Sequence, residues 1–279
     1  MAVALTVAAA LRVATARLAM SASARLDAEL LLAHCLGVTR SRLYSTPEFE
    51  LDDTSQALFE KSLEARSRHM PLAYLTGRAE FWSLEFAVTP DVLVPRAETE
   101  LLVELALAAW PQNQPGVAID LGTGSGVIAA ALAHERPALA VFASDYSAAA
   151  LKLARANFAR LGLARITCLR ASWLRAVADQ SCDVILSNPP YVGSAEAVDA
   201  AVSFEPRQAV FAADDGAAAL AAIIAQAPRC LKAGGYIALE HGYQQGPLVR
   251  ALLAAQGFAR VATACDLAGR ERVSSAWCD

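Results

Sequence analysis

Clusters of cysteine and histidine at metal-ligand spacing are missing from this 279-residue chain. Its six cysteines, Cys35, Cys168, Cys182, Cys230, Cys265 and Cys278, form no CxxC pair, and its four histidines show no ligand spacing. No metal site is expected. Several of the cysteines stand inside apolar runs, which suits reduced thiols in a reducing, cytoplasmic compartment. A positive excess is missing as well. The formal net charge is −4, which argues against a surface built to neutralise many phosphates of duplex nucleic acid. No uninterrupted apolar run is long enough to span a membrane. The apolar first twenty residues are broken by Arg12 and Arg17 and carry no basic leading segment, so they read as an amphipathic helix rather than a signal peptide.

Apolar residues are plentiful, at 56%, enough for a sizeable core and against global disorder. Many are alanine, which favours helices while adding little core volume. The length fits one large domain, or one domain and a smaller companion.

Two regions differ in pattern. Up to about residue 70 the chain reads as helices: Ser23 to Leu36 has helical apolar spacing with Gly37 as a stop, and a second helix is expected from Thr54 to His69. Phe81–Thr89 and Val92–Val94 read as two strands around the turn Thr89–Pro90–Asp91. The predicted division is residues 1–72 as a helical domain, 73–95 as a β-hairpin linker and 96–279 as the larger domain. A helix from Glu98 to about Trp110 is expected next. Strands then alternate with helices: Val117–Asp120, Ala138–Asp145, Ile166–Ala171, Asp183–Ser187 and Tyr236–Glu240, with two more in Ala259–Cys265 and Val273–Cys278. Such alternation implies an α/β fold, a mostly parallel sheet with helices on both faces. Ligands of such sheets bind beyond the carboxyl ends of the strands.

Asp120–Leu121–Gly122–Thr123–Gly124–Ser125–Gly126 follows a predicted strand and opens a predicted helix. Glycines let the backbone approach a ligand closely. Asp145 ends the next strand, where a carboxylate can accept both hydroxyls of a ribose. Together these describe a nucleotide-like cofactor site. Rossmann oxidoreductases use a related GxGxxG turn; the DxGxGxG spacing here resembles motif I of the class I methyltransferases, with Asp120 near the methionine part of the cofactor.

Asn188–Pro189–Pro190–Tyr191 follows the strand Asp183–Ser187. Two prolines fix the backbone and remove two donors, leaving carbonyls free to face a pocket. Asn188 adds a side-chain carbonyl and Tyr191 an aromatic face. This box suits methylation of a planar, weakly nucleophilic nitrogen. Asn188 and the Pro189 carbonyl can accept its two N–H groups and hold it on line with a methyl donor, while Tyr191 packs on the amide and helps exclude water. Adenine amino groups and side-chain amides both fit that description.

Several further segments resemble the release factor glutamine methyltransferases (the HemK/PrmC family). They are Asp27 to His34, Arg68 to Trp82, Val94 to Glu100, Glu205–Pro206–Arg207, Asp214–Asp215–Gly216, Glu240–His241–Gly242 with Gln244–Gln245, and Asp266 to Arg270. The resemblance spans nearly the whole chain, and implies that the helical domain 1–72 grips the substrate while residues 96–279 bind the cofactor and carry catalysis. It implies a Rossmann-like class I methyltransferase domain with a mostly parallel seven-stranded sheet, and S-adenosylmethionine as cofactor. It implies as substrate the glutamine of the Gly-Gly-Gln motif in class 1 peptide chain release factors, and a monomer with no stable nucleic-acid or membrane partner. By the same resemblance Gly122, Thr123, Gly124, Ser125, Gly126, Asp145, Trp173 and Asn188 would hold the cofactor. Trp173 would pack on the adenine, although a core role suits it equally. Asn188, Pro189, Pro190 and Tyr191 would bind the glutamine, with Asn188, Pro189 and Tyr191 catalytic. The family often has Arg-Pro-Asp-Thr-Glu where this chain has Arg96–Ala97–Glu98–Thr99–Glu100. A nucleic-acid adenine methyltransferase is the alternative, and it would call for a basic, aromatic-interleaved recognition region. Glu205 and Arg207 are candidates for a structural pair or for lining the peptide groove, and His241 is expected to be a packing residue.

Overall fold

The computed structural model describes residues 5–279, so the first four residues of the expected N-terminal helix region lie outside the described ones. The chain forms two compact units, Met1–Arg78 and Ala79–Asp279.

The first unit is helical: α1 (Val7–Arg17), α2 (Ala24–Leu36), α3 (Arg40–Ser45), α4 (Asp53–Ser67) and α5 (Leu72–Thr76). Helix starts are marked by side chains that satisfy free N–H groups, Thr6 for Ala9 and Asp52 for Ser55. Gly37 ends α2 in the left-handed region, as its position in the sequence suggests. Leu11, Leu31, Leu32, Phe59 and Leu63 form the core. A buried carboxylate, Glu29, gathers Arg25, Arg40 and Tyr44 around it.

A hairpin of β1 (Arg78–Phe81) and β2 (Leu84–Ala87) opens the second unit. It corrects the expected pair of strands, because the chain reverses at Trp82–Ser83 and Val92–Val94 is not a strand. Both turn residues have positive φ, 54° and 55°, as a two-residue hairpin loop of this twist requires. Neither is Gly or Asn, so the usual sign of this turn is absent, whereas Pro90–Asp91 mimics one downstream. Tertiary bonds hold the turn: the Trp82 backbone N–H donates to Glu100 (2.8 Å) and its indole N–H to Glu135 (2.9 Å).

After a single 3-10 turn at Ala97–Thr99 the elements run α6 (Glu100–Ala109), β3 (Gly116–Leu121), α7 (Val127–Glu135), β4 (Leu139–Asp145), α8 (Ala148–Arg160), β5 (Thr167–Arg170) and β6 (Cys182–Ser187). Then come β7 (Val192–Gly193), α9 (Arg207–Val210), β8 (Phe211–Ala212), α10 (Ala218–Cys230), β9 (Leu231–Glu240), α11 (Gly246–Ala255), β10 (Ala259–Cys265) and β11 (Glu271–Trp277). The seven-stranded sheet has the order β10-β11-β9-β6-β3-β4-β5. It is parallel from β9 to β5, and β11 lies antiparallel to both neighbours. This is the expected Rossmann-like sheet. One face packs on Leu102, Ile128, Leu132 and Phe158, the other on Leu220, Ile223, Val249 and Leu253.

Strand order reverses between β3 and β6, so the loops leaving their carboxyl ends part and open a crevice. Ser144, Leu121, Ser187 and Leu239 share one row across β4, β3, β6 and β9. The residues that follow them are Asp145, Gly122, Asn188 and Glu240. Register alone therefore brings the glycine loop, the acid and the Asn-Pro-Pro-Tyr box to one edge of the sheet.

Candidate active site

The glycine loop is shaped from behind. Asp120 Oδ2 accepts from the Thr123 hydroxyl at 2.6 Å and from the Ala129 N–H at 3.2 Å. Asp120 is buried and does not line the crevice; it organises the loop that does. Its Oδ1 is buried without a partner, and burial raises the carboxyl from 3.8 to about 7. Gly126 has φ +92°, and a Cβ there would lie 2.5 Å from the Phe158 ring, so only glycine lets α7 begin against α8. Asn157, fully buried, donates to the Ser125 carbonyl at 2.9 Å and exchanges two bonds with Ala87. The hairpin thereby braces the loop.

Asp145 Oδ2 accepts from the Gly124 N–H at 3.0 Å and its Oδ1 from Ser147 at 2.8 Å. Partial burial raises its pKa, opposed by these N–H bonds. A cavity of about 280 Å³ lies in front of these groups. Gly122, Thr123, Gly124, Ser125, Asp145, Trp173, Asn188 and Pro190 line it, which gathers most of the predicted cofactor residues into one wall. Trp173 sits beside Gly122 and also packs against the core below. Arg96, Thr99, Tyr146 and Gln208 line it too; of these only Arg96 is a charged residue beside a helix start, which suits a cofactor or substrate contact as well as helix capping. Tyr146 had a readable signal, since it directly follows the strand-end acid, and it is 70% exposed.

A second cavity of about 180 Å³ shares Leu93, Arg96, Asn188, Pro190 and Ala209 with the first, and Pro189 and Tyr191 belong to this one. Its remaining wall is Val192, Val198, Val202 and Val210. Asn188 thus stands where the two spaces meet.

Behind the box lies a buried chain of hydrogen bonds. Asn188 Nδ2 donates to Thr99 Oγ1 at 3.0 Å, Thr99 donates to Glu240 Oε2 at 2.7 Å, and the Tyr191 hydroxyl donates to Glu240 Oε1 at 3.1 Å. Burial raises the Glu240 carboxyl, although both hydroxyl donors and the charge of Arg272 oppose it. Burial, and then the charge of Glu240, push the Tyr191 phenol up, so it stays protonated. Arg272 itself pairs with Asp266. Gln245 donates to the Tyr191 carbonyl at 3.0 Å, and Gly216 packs directly against that carbonyl. Glu205 pairs with Arg96 rather than with Arg207, which instead lies over the Phe211 ring at 4.8 Å. His241 is buried and donates or accepts only within the fold, to Gly242 and Ser274; burial lowers its pKa.

Residues 9–77 match the PrmC N-terminal domain and residues 97–212 the methyltransferase small domain. The chain is 42% identical over 266 residues to the release factor glutamine methyltransferase of Escherichia coli (strain K12), covering 95% of this chain and 96% of that one. It is 41% identical over 256 residues to that of Xylella fastidiosa (strain Temecula1 / ATCC 700964), covering 91% and 93%. The chain belongs to the release factor glutamine methyltransferase family. Among solved structures, a methyltransferase from Pyrococcus furiosus superposes with a TM-score of 0.54 at 16% identity, covering 81% of this chain and 98% of that one. That likeness concerns the fold alone, and it agrees with the Rossmann-like sheet. Several of the scattered matches meet at the Asn-Pro-Pro-Tyr box, because Thr99, Gly216, Glu240 and Gln245 contact Asn188 or Tyr191. No helix among the described residues is long and apolar enough to cross a membrane.

Proposed function

We propose that this chain methylates the side-chain amide nitrogen of the glutamine in the Gly-Gly-Gln motif of class 1 peptide chain release factors, with S-adenosylmethionine as methyl donor. The observation that carries this reading is the position of Asn188 on the wall common to both cavities, with Asp145 and the glycine loop on one side and Pro189 and Tyr191 on the other. The printed name of the relatives, release factor glutamine methyltransferase, supports the substrate.

The residues present fit the cofactor. The first cavity combines a carboxylate suited to ribose hydroxyls, a glycine turn that admits close approach at Gly124, and two aromatic side chains, Tyr146 and Trp173, suited to a purine face. Bound there, S-adenosylmethionine supplies an electrophilic methyl group. Everything else falls to the chain. In the second cavity Asn188 Oδ1 and the Pro189 carbonyl accept the two N–H groups of the substrate amide, fixing the nitrogen that attacks. Tyr191 and the valine-rich wall cover the amide and exclude water. No strong base is needed before attack, since the alkylated nitrogen loses its proton readily. Catalysis is then mainly positioning.

The test is mass spectrometry of an unmodified release factor after incubation with the protein and S-adenosylmethionine. One methyl gained on the Gly-Gly-Gln glutamine is expected. Asn188→Ala should lower turnover at least about ten-fold, the value of one lost buried polar contact, with a smaller change in cofactor affinity. Label appearing in DNA instead would move the reading to adenine.

A further inference from the structure

The Asn-Pro-Pro-Tyr box is held by residues remote in sequence, and with Glu240 ionised their protons have only one consistent order. Thr99, Glu240 and the hydrogen bonds between them are buried. A threonine hydroxyl has a single proton and two lone pairs. That proton goes to Glu240 Oε2, whose carboxylate offers an acceptor there. Thr99 therefore has only lone pairs left for Asn188, and only the NH2 end of the Asn188 amide can meet them. Turned the other way, Asn188 would set its own carbonyl oxygen against the lone pairs of Thr99. It would also point a donor at the incoming amide, which presents donors itself. No hydrogen bond engages Asn188 Oδ1 among the described residues. Through its other oxygen Glu240 holds the Tyr191 hydroxyl, so a single carboxylate ties down both side chains of the box.

We infer that Thr99, held by Glu240, is a positioning residue for methyl transfer: it turns the Asn188 amide so that Nδ2 is engaged behind the cavity wall and Oδ1 faces the substrate as an acceptor. This rests on the proposed function, which makes Asn188 the acceptor for the glutamine amide. Thr99 also lines the first cavity, but its hydroxyl is engaged by Glu240 and Asn188, so its effect on transfer runs through Asn188.

The kinetic test is a double-mutant cycle with a release factor as substrate. Thr99→Val, which keeps the shape and removes the hydroxyl, should lower kcat about ten-fold, with KM for the release factor and affinity for S-adenosylmethionine changed by less than about three-fold. Thr99→Ser should recover most of the lost turnover. Thr99→Val combined with Asn188→Ala should be no slower than Asn188→Ala alone. Additive losses, or a Thr99→Ser variant as slow as Thr99→Val, would overturn the inference in favour of a packing role. A second readout is independent of turnover. The Asn188 side-chain NH2 signals, assigned by their loss in Asn188→Ala, should be protected from solvent exchange in the unaltered protein and become fast-exchanging in Thr99→Val. Equal protection in both would overturn the inference. Because this readout needs no substrate, it still decides the matter if the unaltered protein transfers no methyl to a release factor, an outcome that sinks the proposed function instead.

Discussion

Asp120 illustrates how much one side chain can do without touching a ligand. Its Oδ2 ties the glycine loop to α7 while its Oδ1 is buried with no partner. Desolvation raises the folded-state pKa from 3.8 to about 7. The folded chain thus keeps a proton that the unfolded chain releases between those values. Stability from this group is complete below pH 3.8 and falls as pH rises toward 7. Asp120→Asn should flatten that part of the stability profile, measured by chemical denaturation at a series of pH values; an unchanged slope would assign the titration to another group. At this scale the sequence was legible where chemistry is local. Asp145 ends a strand, and Gly122 and Asn188 open the loops after theirs; short windows reveal that. Thr99 and Glu240 were visible only as parts of family matches, because their bond joins positions 141 apart and no window of sequence contains both.

Between elements, the loop after β6 depends on the turn before α10. A Cβ on Gly216, which has φ +87°, would lie 2.0 Å from the Tyr191 carbonyl oxygen. Gln245, just before α11, donates to the same carbonyl. Gly216→Ala should therefore destabilise the protein by about 1–3 kcal/mol, seen as a lower Tm, and reduce methyl transfer by displacing Tyr191. An unaltered Tm and rate would show that the turn yields without cost. The alternation of strands and helices was readable from apolar runs and their punctuation, and the seven-stranded sheet followed. The hairpin was misplaced, since its Trp82–Ser83 turn is held by Glu100 and Glu135 rather than by its own residues. Helix α11 is absent from the sequence expectations, where Gln244–Gln245 counts only as a family match, although Val249 and Leu253 beyond them repeat at helical spacing and are fully buried.

For the molecule as a whole, all residues lining both cavities belong to the unit Ala79–Asp279. That unit has its own core. The chain without residues 1–78 should bind S-adenosylmethionine within about three-fold of the full chain by calorimetry. Its transfer to an intact release factor should fall further than its transfer to a short Gly-Gly-Gln peptide, if the helical unit grips the body of the substrate. Equal loss on both substrates would count against that division of labour. The alanine bias of the sequence acquires a location at this scale. In α7 every residue from Val127 to Ala133 is buried, with Ala129, Ala130 and Ala131 wholly enclosed. Short side chains suit a helix covered by α6 on one side and the sheet on the other. A bulkier replacement has no space, and glycine would weaken the helix by about 1 kcal/mol per residue. Enclosed between α6 and the sheet, these alanines leave a larger side chain room only where a neighbour on α6 or the strands becomes smaller, so a tolerated change here is expected to come paired with a second.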